Sequence, residues 1–220
     1  YDKARSLYQQ SANWGNVKAK YRLGYLLHPD YAPNANLEKS IEIMKESLAD
    51  LKELWDKTQD SESALFLGQM YSNGWGGVEE NDNDALDWFH KAANGGDYRS
   101  YRFLGHIYSE GKVVKDDKLA QQWYQKALIT IRKMAGDGVV YAQNLLGDMY
   151  YYGQGVKQDY KESNKWYRKA ADQGYLPSQI YLGVSYQYEL GVKQDYKQAM
   201  KWYHKPADQG YSVAQLNIGV

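Results

Sequence analysis

Residues 155–161 read Gly-Val-Lys-Gln-Asp-Tyr-Lys, and residues 191–197 read the same seven residues in the same order. The offset is 36 positions, and laying 140–175 over 176–211 gives 21 identical residues in 36, so one unit is present twice. Outward from this pair, an aliphatic–Gly step recurs at Leu23-Gly24, Leu67-Gly68, Leu104-Gly105, Leu146-Gly147, Leu182-Gly183 and Ile218-Gly219. A Tyr stands three residues after each of the middle four Gly, at Tyr71, Tyr108, Tyr150 and Tyr186. A Trp follows each of the same four Leu by 19 to 21 residues, at Trp88, Trp123, Trp166 and Trp202.

Each unit reads as two helices. Ala142, Leu145, Leu146, Met149 and Tyr150 make the apolar stripe of a first helix. Gly153 and Gly155 break it, and Asp159 with Glu162 forms a capping-box pattern that Asp195 and Gln198 repeat. A second helix presents Ser163, Trp166, Tyr167, Ala170 and Ala171, and Gly174 stands where a left-handed C-terminal cap belongs. Glycine inside a helix costs about 1 kcal/mol against alanine. Its return in register at Gly24, Gly68, Gly105, Gly147 and Gly183 therefore predicts close approach of the paired helix, with the ring of the following Trp or Tyr filling the adjacent space.

One hairpin cannot bury both of its faces, so units must stack. The reading is an all-α, right-handed α-solenoid superhelix of antiparallel helix pairs, a single domain over 1–220. Its repeats are 16–60, 61–97, 98–139, 140–175 and 176–211, with partial units at 1–15 and 212–220. The two long repeats predict lengthened second helices, one over Leu37 to Asp60 and one carrying Trp123 on through Leu128, Ile131 and Met134. Pro206 replaces the equivalent Ala170 and is expected to kink or end its helix, leaving the fifth unit frayed or last. Both ends stop within a repeat, so the functional protein is expected to be longer. The chain opens on Tyr1, consistent with a processed precursor or a trimmed chain.

Ala-x-x-x-Leu-Gly-x-x-Tyr, then Gly-x-Gly-Val-x-x-Asp-Tyr, then Lys-Trp-Tyr-x-Lys-Ala-Ala-Asp-x-Gly, as read from Ala142 to Gly174, closely resembles the Sel1-like repeat, a relative of the tetratricopeptide repeat. The resemblance is looser in the first unit, where His28-Pro29-Asp30 replaces the Gly-rich loop and the second helix has no Trp at the family position. It implies the right-handed superhelix, with first helices lining the concave face. It also implies roles as adaptors, receptor-complex scaffolds and, in bacteria, signalling, virulence or toxin-neutralising partners. The paired cysteines of one branch of the family are absent here. A bacterial protein is expected, with the compartment open between periplasmic or exported and cytoplasmic.

Composition narrows the functional classes. The 27 basic and 27 acidic side chains cancel, which argues against a nucleic-acid partner, whose binding draws on a basic excess. No apolar run reaches membrane-spanning length. With no Cys there are no disulfides, thiolate metal sites or cysteine nucleophiles. The 23 Tyr and 7 Trp against 3 Phe suit half-buried positions that pack one edge and present the other.

Little points to chemistry, and no cofactor, metal or catalytic residue is expected. His28, His90, His106 and His204 form no metal-ligating pair, and His90 and His204 read as surface residues on second helices. The acidic run Glu79-Glu80-Asn81-Asp82-Asn83-Asp84 lacks the Gly and Glu of a calcium loop and reads as a solvated lead into a helix cap. Gly74-Trp75-Gly76-Gly77 lacks the Lys-Ser/Thr of a phosphate loop and reads as the repeat's turn with one residue inserted.

Counting the Leu of each Leu-Gly pair as position seven, the resemblance places positions two, five, nine and twelve of each first helix on the concave face. These are Lys18, Tyr21, Tyr25 and His28; Glu62, Leu65, Gln69 and Ser72; Arg99, Arg102, His106 and Ser109; Tyr141, Asn144, Asp148 and Tyr151; and Pro177, Ile180, Val184 and Gln187. They vary from unit to unit while the packing positions repeat, as a binding surface or an ordinary solvated surface would. The expected partner contacts are Tyr21, Tyr25, Arg99, Arg102, His106, Asn144, Asp148 and Tyr151, with Arg99, Arg102 and His106 the sharpest stripe. The alternative for that stripe is pairing with local acids. A scaffold that holds another protein leads; an immunity-type inhibitor of a toxin, or a hydrolase using groove carboxylates such as Asp148, are the alternatives.

Overall fold

The computed structural model describes residues 2–28, 36–111 and 113–219; the departure at Pro29-Asp30 lies outside them. The described residues form helices α1 (Asp2–Asn13), α2 (Val17–Leu27), α3 (Leu37–Thr58), α4 (Ser61–Asn73), α5 (Asp82–Asn94), α6 (Tyr98–Glu110), α7 (Asp117–Gly136), α8 (Val140–Tyr152), α9 (Tyr160–Asp172), α10 (Leu176–Tyr188), α11 (Tyr196–Asp208) and α12 (Ser212–Ile218). A 3-10 turn at Trp75–Gly77 is the one other regular element, and there is no strand among the described residues. The fold is all-α and of the α-solenoid class, built of helix pairs.

Two compact units divide the chain, Tyr1–Ala120 and Gln121–Val220. Within the first, α1 packs on α2, α2 on α3, α3 on α4, α4 on α5 and α5 on α6. Within the second, α8 through α12 pack each on the next.

The local signals in the chain produce these boundaries. Asn16, Asn36, Asp60, Asn81, Asp97, Asp159 and Asp195 each cap a helix by accepting a backbone N–H in its first turn. Glu162 donates its own N–H to Asp159, while its carboxylate accepts from Lys165 at 2.6 Å. The two long repeats are taken up as read: α3 has 22 residues and α7 has 20, against 13 in α9. Gly174, just past α9, is left-handed at φ +88°.

The duplicate of Gly153, which ends α8 at φ 70°, is Glu189, which ends α10 at φ 58°. A side chain in that conformation costs about 1 kcal/mol. Glu189→Gly should therefore raise stability by about that amount, read as a higher urea midpoint, and a lower midpoint would contradict it.

The in-register glycines have the expected cause. A Cβ on Gly147 would lie 2.5 Å from the Tyr167 ring, and one on Gly68 would lie 2.6 Å from the Phe89 ring. Gly183 meets Tyr203 in the same way, and Gly24 meets Met44 at 3.0 Å. At Gly68, Gly147 and Gly183 the ring is that of the residue after the Trp, not the Trp itself. On its far side it stacks on the next first helix: Phe89 on Phe103 at 4.7 Å and 2°, Tyr167 on Tyr181 at 4.8 Å and 6°. The Trp of the second helices are half-buried, and Lys91, Lys126 and Lys169 lie over Trp88, Trp123 and Trp166 at 3.8, 3.9 and 4.0 Å.

Two further contacts recur. The side chain at position four of a first helix donates to a last-turn carbonyl of the preceding second helix: Tyr101 to Ala93, Gln143 to Ala135, Gln179 to Ala171 and Gln215 to Ala207. The Tyr three residues after the glycine meets a base from the preceding second helix: Tyr108 with His90 at 3.1 Å, Tyr150 with Arg132 at 3.3 Å, Tyr186 with Arg168 at 2.9 Å. His90 is thus half-buried and engaged, whereas His204 is exposed as read. The loop glycines seat each hairpin on its predecessor: a Cβ on Gly191, at φ +70°, would lie 2.5 Å from the backbone nitrogen of Lys161. No other residue meets both conditions.

The expectation for Pro206 is corrected. Helix α11 runs through it to Asp208, matching the 13 residues of α9, and α12 follows. Proline stands only two residues from the end of α11, and its buried ring takes the site of the fully buried Ala170. The carbonyl of Pro206 accepts from the N–H groups of Gln209 and Tyr211, both at 3.1 Å, and this closes the helix end.

Candidate functional site

In the first unit, position two of successive first helices is Lys18, then Glu62, then Arg99. Their charges alternate, and the helix stack brings them together. The Glu62 carboxylate accepts from Arg22 at 2.6 Å and Arg99 at 3.0 Å, with Lys18 at 3.2 Å. Lys18 also reaches Asp60 at 2.9 Å, and Arg99 reaches Asp97 at 2.5 Å. Asp60 and Asp97 are the N-caps of α4 and α6, so helix starts and ion pairs share the same carboxylates. Burial works to raise the Glu62 pKa, but the charges of Arg22 and Arg99 and the hydrogen bonds from Arg99 and Lys18 outweigh it and hold the group below its usual range. Burial likewise opposes the charge of Arg99, yet Asp97 and Glu62 keep it above its ordinary value. An open cleft of about 690 Å³, walled by Leu7, Tyr8, Val17 and Leu54, borders Lys18, Arg22 and Glu62.

The second unit carries different chemistry, at positions five, nine and twelve of its first helix α8. Asp148 Oδ1 accepts the Tyr167 hydroxyl at 2.9 Å, and Oδ2 accepts the Asn144 amide at 3.3 Å. Ser178 orients Asn144 by donating to its Oδ1 at 2.8 Å. Around this carboxylate, Tyr151 meets the rings of Tyr152, Tyr160 and Tyr181 at centroid distances of 4.8, 5.1 and 5.6 Å, all edge-on. The hydroxyls of Tyr152 and Tyr181 are 3.2 Å apart. Burial first, and then neighbours that include Asp148, push the Tyr167 and Tyr181 phenols above their ordinary range.

The expected contact residues therefore fall into three groups. Tyr21 and Asn144 are buried, at 2% and 6% exposure: Tyr21 stacks on Phe66 at 4.2 Å and donates to Gln69, while Asn144 sits between Ser178 and Asp148. Tyr25, Arg99, Arg102, Asp148 and Tyr151 are half-buried, and Arg99 is held by local acids. His106 is exposed and lies 3.2 Å from Glu110. Tyr25 and His28 flank Trp75 at 5.8 and 5.6 Å.

Reading the sequence by rows missed Asp97, Tyr152, Tyr160 and Tyr181. Asp97 was legible as an N-cap before an apolar stripe. The three tyrosines lie outside the four rows, and only folding assembles them. Among the described residues no group of three His, Asp or Glu could hold a metal ion, and no helix is long and apolar enough to cross a membrane.

Comparison with known proteins bears on this geometry. The family model described as the Sel1 repeat matches residues 1–16, 17–47, 61–97, 99–128, 140–175 and 176–211. A protective antigen of uropathogenic Escherichia coli displaying an SLR fold is 33% identical, with a TM-score of 0.53, over 97% of this chain. The chain spans 43% of that antigen's length. A Sel1 repeat protein of Oxalobacter formigenes is 29% identical over 91% of this chain and 76% of its own, with a TM-score of 0.57. An immunity protein of Pseudomonas aeruginosa shares the fold at 21% identity and a TM-score of 0.50, over 90% of this chain and 67% of its own.

Proposed function

The chain belongs to the Sel1 repeat family, and from that premise we propose that it is a scaffold that holds a partner protein on the first-helix faces of its units. One contrast carries this reading. The packing contacts of glycine, ring and loop return unit after unit, while the first-helix rows change from a charge ladder in one unit to a tyrosine-rich face in the other. A scaffold under selection for a particular partner keeps the first set and diversifies the second. Exposed or half-exposed Tyr and His supply large contact area at low conformational cost.

The test is affinity capture followed by mass spectrometry, repeated with variants of each unit. Tyr25→Ala with His106→Ala probes the first unit, and Tyr141→Ala with Tyr151→Leu the second. Lys91→Glu and Lys169→Glu, over the second-helix tryptophans, serve as controls. Capture of one defined partner should fall at least about tenfold with one of the face pairs and be unchanged in the controls. Loss in the controls with both face pairs retained would move the site to the second helices and end this reading. The immunity-type role is a narrower form of it, supported only if the captured protein is a toxin that the chain inhibits.

A further inference from the structure

We infer that the chain associates with a second copy of itself, the second-helix face of the first unit in one copy against the second-helix face of the second unit in the other. This contact is separate from the first-helix faces assigned to the partner protein.

The neutral total of the chain conceals a division by unit. Residues 1–120 hold 19 Asp and Glu against 15 Lys and Arg, and residues 121–220 hold 8 against 12. The division sharpens on the second helices. In the first unit α3 and α5 carry nine Asp and Glu against five Lys. In the second, α9 and α11 carry seven Lys and Arg against three Asp and Glu. Each pair lies side by side. Trp55 of α3 meets Trp88 of α5 edge-on at 5.8 Å, and the Arg168 guanidinium of α9 lies 4.7 Å from the centre of the Trp202 ring of α11. Two continuous faces of opposite sign result.

Within these faces the charges stand in matching rows. Lys161, Lys165 and Lys169 are spaced i, i+4, i+8 on α9, Lys197, Lys201 and Lys205 repeat the row on α11, and all six are exposed. Glu38, Glu42 and Glu46 form the same row on α3 and are exposed as well. Residues four apart share one side of a helix and rise about 6 Å per step, so rows of opposite sign can lie charge against charge. Pairing within the chain leaves the rows presented: Lys165 holds Glu162 and Glu46 meets Lys20, yet the Lys165 and Glu46 side chains each keep 60% exposure. Like charges at this spacing repel within their own helix, and an opposing row offsets that cost.

A second copy fits this pattern better than a polyanion does. A lipid surface or a nucleic acid attracted by α9 and α11 is repelled by the acidic excess of the first unit in the same chain. A second copy offers each face its complement, through a contact between unlike faces. Exposed charges are screened beyond about 10 Å at ~0.1 M salt, so the association is salt-sensitive.

Sedimentation velocity over a protein concentration series tests this at about 20 mM and about 300 mM salt, with circular dichroism confirming the fold of each chain. The native chain should gain average mass with concentration at low salt and sediment as one chain at high salt. Lys161→Glu with Lys165→Glu and Lys169→Glu reverses the sign of one face, and Glu38→Lys with Glu42→Lys and Glu46→Lys reverses the other. Each set alone should abolish the gain. Mixed one to one, the two variants still offer one native face each, and association should return. A further chain separates this contact from general attraction. It carries the three lysine reversals offset by Glu110→Lys, Asp117→Lys and Asp137→Lys, exposed sites outside those four helices, so its net charge is native and its faces share a sign. It should stay single. Association of that chain equal to the native one, a mixture that stays as separate chains, or a native chain that stays single at low salt would overturn the inference. Pelleting of a non-associating native chain with phosphatidylserine vesicles, lost with the lysine row, would overturn it too and assign the basic face to an anionic surface.

Discussion

Gly147→Ala destabilises the protein by about 2–3 kcal/mol, the cost of forcing an extra carbon into a packed core. Helix propensity alone predicts the opposite, a gain of about 1 kcal/mol. The close approach decides the sign, because the added Cβ would stand 2.5 Å from the Tyr167 ring. That ring cannot step aside. It is fully buried, its hydroxyl is bonded to Asp148, and its other face is stacked on Tyr181. Urea denaturation followed by circular dichroism measures the effect. Tyr167→Leu in the same chain should recover part of the loss, since it removes the ring that the new carbon strikes. A raised midpoint for Gly147→Ala alone would show that the ring moves freely and that the repeated glycine has another cause.

The second large effect is at Glu62. Glu62→Ala should cost about 2 kcal/mol at neutral pH, below the value for a fully buried pair because its side chain keeps 21% exposure. Arg99→Glu should cost more, since it places a third carboxylate beside Asp97 and Glu62. The pH dependence has a definite sign. The pKa values of Asp60 and Glu62 are lowered in the folded chain from ordinary values of 3.8 and 4.5. The stability they contribute is complete above those ordinary values and is lost as pH falls through the lowered folded ones. Thermal midpoints of the native chain should therefore drop below about pH 4.5, and Glu62→Gln should flatten that drop. An equally steep drop in Glu62→Gln would remove Glu62 as its source.

This ladder also explains why the stripe of Arg99, Arg102 and His106 was ambiguous in the sequence. Their spacing puts them on one side of α6, but spacing says nothing of what faces that side. The neighbour is α4, whose Glu62 takes the Arg99 guanidinium out of the contact surface. Tyr21 and Tyr151 make the same point. They occupy rows of the same kind, yet Phe66 covers Tyr21 while Tyr151 stays half-open.

What the sequence determined by itself is the repeated part. The 36-residue echo, the caps at Asp159 and Asp195, the two lengthened second helices and the in-register glycines could all be read because each signal is local and returns. Only the tertiary structure decided which ring sits on each glycine. Trp166 and Tyr167 are consecutive, and a helix sends consecutive side chains about 100° apart. Either could have faced the partner helix until the next hairpin put Tyr181 against Tyr167 and left Trp166 under Lys169. The tyrosine cluster around Asp148 has the same origin: Tyr151 and Tyr152 lie on α8, Tyr160 and Tyr167 on α9 and Tyr181 on α10, and no periodicity within one helix connects them.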